Sequence, residues 1–154
     1  MKVKSEVAIF GAGCFWGVEL AYSKIEGVTA TSVGYMGGEI KNPTYENVCT
    51  NTTGHAEVVK IEFDSSVVNY KELVTMFWKL HNPTTLNRQG TDIGTQYRSV
   101  IFYQDKEQKK IAMESRDEIQ KYIPEGKKIV TEIISSVEYY LAEDYHQKYL
   151  ENDQ

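Results

Sequence analysis

Four consecutive apolar residues, Val7-Ala8-Ile9-Phe10, run directly into Gly11-Ala12-Gly13, and the apolar residues that follow, Val18, Leu20, Ala21 and Ile25, recur at helical spacing before Gly27. A short apolar run closed by glycines reads as a buried strand entering a tight turn, and the recurrence after it reads as a helix. The chain must open strand, turn, helix, and that order places Cys14 beside a helix N-terminus.

The same reasoning carries along the chain. Alternation and β-branched content predict strands over 28–35 and 56–63. Leu73, Val74, Phe77, Trp78 and Leu80 predict a helix over 70–80, stopped by Asn82-Pro83. A strand is expected over 97–103, a polar, surface-facing helix over 105–122, a last strand over 129–134 and a short terminal helix within 142–150. Two stretches, 36–54 and 84–96, lack strong periodicity, and loops that long in a compact chain are usually functional. Strands alternating with helices give an α/β (α+β) class: a single two-layer sandwich domain over 1–154, with a mixed sheet covered by helices, long active-site loops and a loop-rich C-terminal tail.

Charge and cysteine usage narrow the function classes. A net charge of -5, with no Lys/Arg cluster interleaved with aromatics, gives phosphate nothing to bind, so nucleic acid is not an expected partner. The apolar stretch near the N-terminus is far too short for a signal or a membrane span, so neither targeting nor a membrane is expected. Two cysteines, Cys14 and Cys49, are too few for a secreted framework and fit a reducing cytoplasm. Cys14, Cys49, His55 and His81 match no compact zinc spacing, so no metal site is expected. Tyrosine is abundant, 11 against five phenylalanines, and a buried cluster of them could line a pocket with a polar floor.

A cysteine flanked by Phe15 and Trp16 is by default inert core. At the first turn of a helix, however, free N–H groups and the dipole favour the thiolate and predict a lowered pKa, which makes Cys14 a candidate nucleophile. The two rings beside it either join the core or form an aromatic corner able to hold a methyl group. Gly54-His55-Ala56-Glu57 stands where the first long loop becomes a strand, so His55 and Glu57 share a face. Glu57 on a buried face would have a raised pKa and could act as an acid near neutrality; on an exposed face it would be an ordinary strand glutamate. Three functions remain open on these residues: thiol redox chemistry, a cysteine hydrolase or acyltransferase using Cys14, His55 and Asp92, and a peptide-binding module with an aromatic pocket.

Four sequence words, Gly11-Ala12-Gly13-Cys14-Phe15-Trp16-Gly17, Asn42-Pro43-Thr44-Tyr45, Gly54-His55-Ala56-Glu57 and Asp92-Ile93-Gly94-Thr95-Gln96-Tyr97-Arg98-Ser99, together resemble the methionine sulfoxide reductase A family. The resemblance extends through Ala142-Glu143-Asp144-Tyr145-His146-Gln147. It implies that Cys14 is the nucleophile, that Phe15 and Trp16 contact the substrate methyl, and that Glu57 donates the proton. It further implies that the hydroxyls of Tyr45 and Tyr97 hold the sulfoxide oxygen and that Asp92 orders the polar end of the pocket. The substrate implied is methionine S-sulfoxide, free or in proteins, reduced through a Cys14 sulfenic acid in the repair of oxidised proteins.

The chain departs from the commonest family pattern in carrying no cysteine after Cys49. Cys49 could resolve Cys14, but a structural bystander is the default for the residue type. An external thiol is therefore expected to recycle the enzyme, glutathione with glutaredoxin first and thioredoxin as the other class. No bound cofactor is expected, and a monomer is.

Overall fold

The computed structural model describes residues 4–152, so the first three and last two residues of the expected 1–154 domain lie outside the described residues. The first strand, β1 (Ser5–Ala12), leads through a glycine turn into α1 (Phe15–Ser23). Then follow β2 (Val28–Met36), α2 (Tyr45–Cys49), β3 (Ala56–Asp64) and α3 (Tyr70–Leu80). The second half holds β4 (Arg88–Gln89), β5 (Asp92–Ile93), β6 (Ser99–Tyr103), α4 (Lys106–Gln120), β7 (Glu132–Ser135), β8 (Tyr140–Leu141) and α5 (Tyr149–Asn152).

Six strands form one sheet in the order β7-β6-β1-β3-β2-β8, while β4 and β5 pair separately as a miniature hairpin. Only β6 and β7 run parallel, so the sheet is mixed, as expected. Side chains alternate between faces along each strand. Ala8 and Phe10 of β1, Val33 and Tyr35 of β2 and Val59, Ile61 and Phe63 of β3 meet Phe15, Val18 and Tyr22 of α1 and Leu73, Val74 and Phe77 of α3 in the main core. The opposite row, Ile9, Met36, Ala56, Val58, Val100 and Phe102, makes a second buried cluster against which Val7 and Tyr139 pack. Burying one such side chain contributes about 1.5–3 kcal/mol, so this two-sided sheet fixes the frame on which the loops are hung.

The long loops and the tail depart from the expected outline. The stretch 36–54 contains α2, started by a reciprocal capping pair in which Thr44 and Asn47 each bond the other's backbone. The stretch 84–96 contains the β4–β5 hairpin. The strand expected from residue 97 begins only at Ser99, because Thr95–Tyr97 winds into a 3₁₀ turn closed by Tyr97 N–H to Gly94 O. The last strand is displaced to Glu132–Ser135, since the Val130 amide bonds Pro83 O outside the sheet. The tail is not a helix over 142–150: β8 lies on the edge of β2, a 3₁₀ turn spans Asp144–His146, and only Tyr149–Asn152 is helical. Gln147 explains the difference, because its side-chain amide bonds both the N–H and the C=O of Val33 and holds the tail along the sheet edge.

Candidate active site

The turn after β1 sets the position of Cys14. Gly13 has φ +94, in the left-handed region, and a Cβ there would lie 3.0 Å from Gln89 Cγ, so the turn runs directly beneath the β4–β5 hairpin. Cys14 stands at the N-cap of α1 and is part-buried; its side chain makes no capping hydrogen bond, but the backbone N–H groups of Trp16 and Gly17 lie close enough to favour its thiolate. The helix start therefore favours the thiolate as expected, but the net shift is the reverse of that expectation. Burial pushes the Cys14 thiol above its ordinary value; the Trp16 N–H pulls against it, the carboxyl groups of Glu57 and Asp92 add to it, and the Gly17 N–H opposes least.

Glu57 lies on β3 in the helix-facing row of Val59, Ile61 and Phe63, and is 1% exposed. Its Oε1 accepts the Phe15 N–H at 3.3 Å. Its Oε2 is buried with no protein partner. Burial raises the carboxyl to about 8; the Phe15 N–H pulls against this and Asp92 adds to it. At neutral pH Glu57 is thus a protonated acid beside a thiol, not an exposed strand glutamate.

His55 has no comparable freedom. Its Nδ1 accepts the Gly38 N–H at 3.0 Å, which leaves Nε2–H to donate to Ile40 O at 2.6 Å. Both ring nitrogens clamp the loop after β2, and neither is left to activate Cys14. His81 caps the end of α3, part-buried between Phe77 O and Ser99 Oγ, and desolvation lowers it to about 4.

Tyr45, Tyr97 and Asp92 converge on the same place from three loops. Tyr45 begins α2, and its hydroxyl is held well above the ordinary value by burial, then by contact with the Cys49 thiol, then by Glu57 and Tyr97. The Tyr97 hydroxyl, at the end of the 3₁₀ turn, is pushed up to about 12 by burial and then by Glu57, Asp92, Cys49 and Cys14. Both phenols therefore remain donors at physiological pH. Asp92 is exposed on β5, close enough to act on Cys14, Glu57 and Tyr97.

Phe15 and Trp16 divide the two roles open to them. Phe15 is 1% exposed and packs on Tyr35 and His146 within the main core. Trp16 stays part-exposed, its ring stacked on Tyr149 at 3.9 Å and its Nε1–H donated to His146 Nδ1 at 2.9 Å. His146 and Glu143 are site residues that the sequence reading did not assign. His146 is 1% exposed, with Nε2 buried and unpartnered, and its ring lies 4.5 Å from that of Tyr45. The Glu143 carboxylate accepts the Tyr35 hydroxyl and the Tyr45 amide. The signal available for them was their place in Ala142-Glu143-Asp144-Tyr145-His146-Gln147, the word through which the family resemblance extends. Among the described residues no group of three or more His, Cys, Asp or Glu could hold a metal ion, and no helix is long and apolar enough to cross a membrane.

Comparison with known proteins places this arrangement. The family model described as peptide methionine sulfoxide reductase matches residues 6–154. The chain is 57% identical over 148 residues to the peptide methionine sulfoxide reductase MsrA of Methanothermobacter thermautotrophicus, covering 96% of this chain and 88% of that one. Among solved structures it is similar to Mxr1 of Saccharomyces cerevisiae in reduced form, with a TM-score of 0.91 and 35% identity over 97% of this chain and 86% of that one. It is likewise similar to methionine sulfoxide reductase A of Corynebacterium diphtheriae, with a TM-score of 0.88 and 39% identity over 97% and 75%. Mxr1 in complex with Trx2 matches with a TM-score of 0.67 and 25% identity over 97% and 89%.

Proposed function

The chain belongs to the peptide methionine sulfoxide reductase A family, oxidoreductases that reduce methionine sulfoxide with thiols in protein repair, and we propose that Cys14 takes the oxygen of the S epimer while Glu57 supplies the proton. A sulfoxide sulfur is a useful electrophile only when its oxygen is protonated or strongly hydrogen-bonded. The observation that carries the assignment is the Glu57 carboxyl, buried, raised to about 8 and with Oε2 unpartnered beside Cys14. Tyr45 and Tyr97 add two more donors for that oxygen, Trp16 backed by Phe15 offers the apolar wall for the methyl, and Asp92 orders the polar end.

In this reading the Glu57 proton moves to the sulfoxide oxygen as the Cys14 sulfur attacks, the sulfoxide S–O bond breaks, and oxygen passes to Cys14. The thiol proton returns to Glu57. The sum is sulfoxide plus Cys14 thiol giving thioether plus Cys14 sulfenic acid, with no external acid consumed. General acid catalysis contributes about 10²–10⁴-fold, so Glu57 carries more of the rate than either tyrosine.

An external thiol returns the oxidised enzyme to its reduced state. A thioredoxin-type dithiol is favoured, since the fold matched in yeast Mxr1 has been solved with Trx2; glutathione with glutaredoxin is the alternative class. Two free cysteines support action in the reducing cytoplasm. The test is methionine release from each sulfoxide epimer with dithiothreitol as reductant. Release from the S epimer alone, abolished in a folded Cys14→Ser protein, is the expected result; equal use of both epimers, or an active Cys14→Ser protein, overturns the assignment.

A further inference from the structure

Cys49 is the reactive side chain at the pocket that the chemistry above leaves unused. A structural bystander is the default for the residue type, yet Cys49 is exposed at the C-terminal end of α2, so core packing does not account for it. The hydroxyl of Tyr45, one turn earlier on the same helix, lies against its thiol. Val48 beside it is buried in the main core, and Asn51 two residues on accepts the Thr95 N–H at 2.8 Å. That bond laces the end of α2 to the 3₁₀ turn bearing Tyr97, whose hydroxyl feels both Cys14 and Cys49. Two thiols thus flank one tyrosine pair, and no other cysteine exists in the chain.

We propose that Cys49 is the resolving thiol, which attacks the Cys14 sulfenic sulfur to form a Cys14–Cys49 disulfide; this rests on the reading of Cys14 as nucleophile. The S–O bond of the sulfenic acid breaks, the S–S bond forms, and the hydroxyl leaves as water with the Cys49 thiol proton. The disulfide is then reduced by an external dithiol, which restores both thiols. A disulfide needs Cα atoms within about 7 Å. The five residues of α2 are too few to persist as a helix on their own, and they are held by the Thr44–Asn47 capping pair and the Glu143–Tyr45 bond. Unwinding α2 delivers Cys49 and draws Tyr45 away from the pocket, so the oxidised enzyme lacks one donor for a second sulfoxide until it is reduced.

The test is a single turnover. Fully reduced protein is mixed with one equivalent of methionine S-sulfoxide, quenched in acid, and analysed for free methionine, intact mass and disulfide-linked peptides. The expected wild-type result is one equivalent of methionine, a mass about 2 Da lower and a peptide joining Cys14 to Cys49; Cys49→Ser should instead gain about 16 Da and react with dimedone. Under steady state, thioredoxin-driven turnover of Cys49→Ser should fall at least about tenfold, while glutathione with glutaredoxin sustains it. Methionine released with Cys14 left as a sulfenic acid in the wild type, or a disulfide joining two copies of the chain, overturns the role of Cys49 alone. No methionine released overturns the Cys14 reading beneath it.

Discussion

The amide of Phe15 donates to Oε1 of Glu57 at 3.3 Å, joining the residue after Cys14 to a carboxyl 42 positions away and leaving the other carboxyl oxygen buried and unpartnered. One hydrogen bond thereby fixes the carboxyl beside Cys14 without discharging its proton.

Replacing Glu57 with Gln keeps that bond and removes the proton. The expected result is a fall of about 10²–10⁴-fold in the rate of methionine release, with KM changed much less and the far-ultraviolet spectrum retained. His55→Ala should disturb the 36–54 loop but cost far less in the chemical step, because both His55 ring nitrogens are bonded to that loop. The reverse ranking would restore the hydrolase-like assignment.

The pH dependence follows from the same carboxyl. Because the acid form is required, the single-turnover rate should decline as pH rises through about 8, and Glu57→Gln should lack that limb. Stability carries the matching sign. Native Glu57 keeps its proton up to about 8 while the unfolded chain releases it near 4.5, so the native state holds more protons across that window and loses stability as pH rises through it. Urea unfolding at pH 5 and pH 8 should therefore show Glu57→Gln gaining on the wild type at the higher pH.

Tyr45 and Tyr97 should act as a pair. Tyr45→Phe and Tyr97→Phe each leave one phenol and Glu57 on the sulfoxide oxygen, so each should cost modestly in kcat and their effects should not add. A double variant with wild-type turnover would place the oxygen elsewhere.

The tail predicts a binding effect distinct from the chemical one. The Trp16 indole N–H is held by His146 Nδ1, an acceptor only while that nitrogen is unprotonated. Burial lowers the His146 pKa, with Glu143 opposing, so the contact persists at neutral pH and weakens as pH falls below the ordinary histidine value of 6.5. KM should rise in that direction, and His146→Ala should raise KM several-fold at all pH values while the single-turnover rate at saturation changes less.

The frame of the molecule was readable because period-two and helical patterns report burial directly, as Phe10, Ile61, Phe63 and Phe77 do. Cys14, Glu57 and the two tyrosines were legible through their local words, and Glu57 also through its strand period. The net direction of the Cys14 pKa was not, because it depends on burial and on carboxyls at positions 57 and 92 that no local pattern brings together. Nor were α2, whose five residues are too few to show a period, or the His146 and Glu143 contacts, which span about a hundred residues or more.

The most direct test of oxygen transfer to Cys14 uses methionine S-sulfoxide labelled with ¹⁸O in one turnover of Cys49→Ser protein, where no intramolecular thiol removes the product. Mass analysis of the peptide bearing Cys14 should find the labelled oxygen on its sulfur in amounts equal to the methionine released. A full equivalent of methionine with no labelled oxygen on Cys14 would contradict the account.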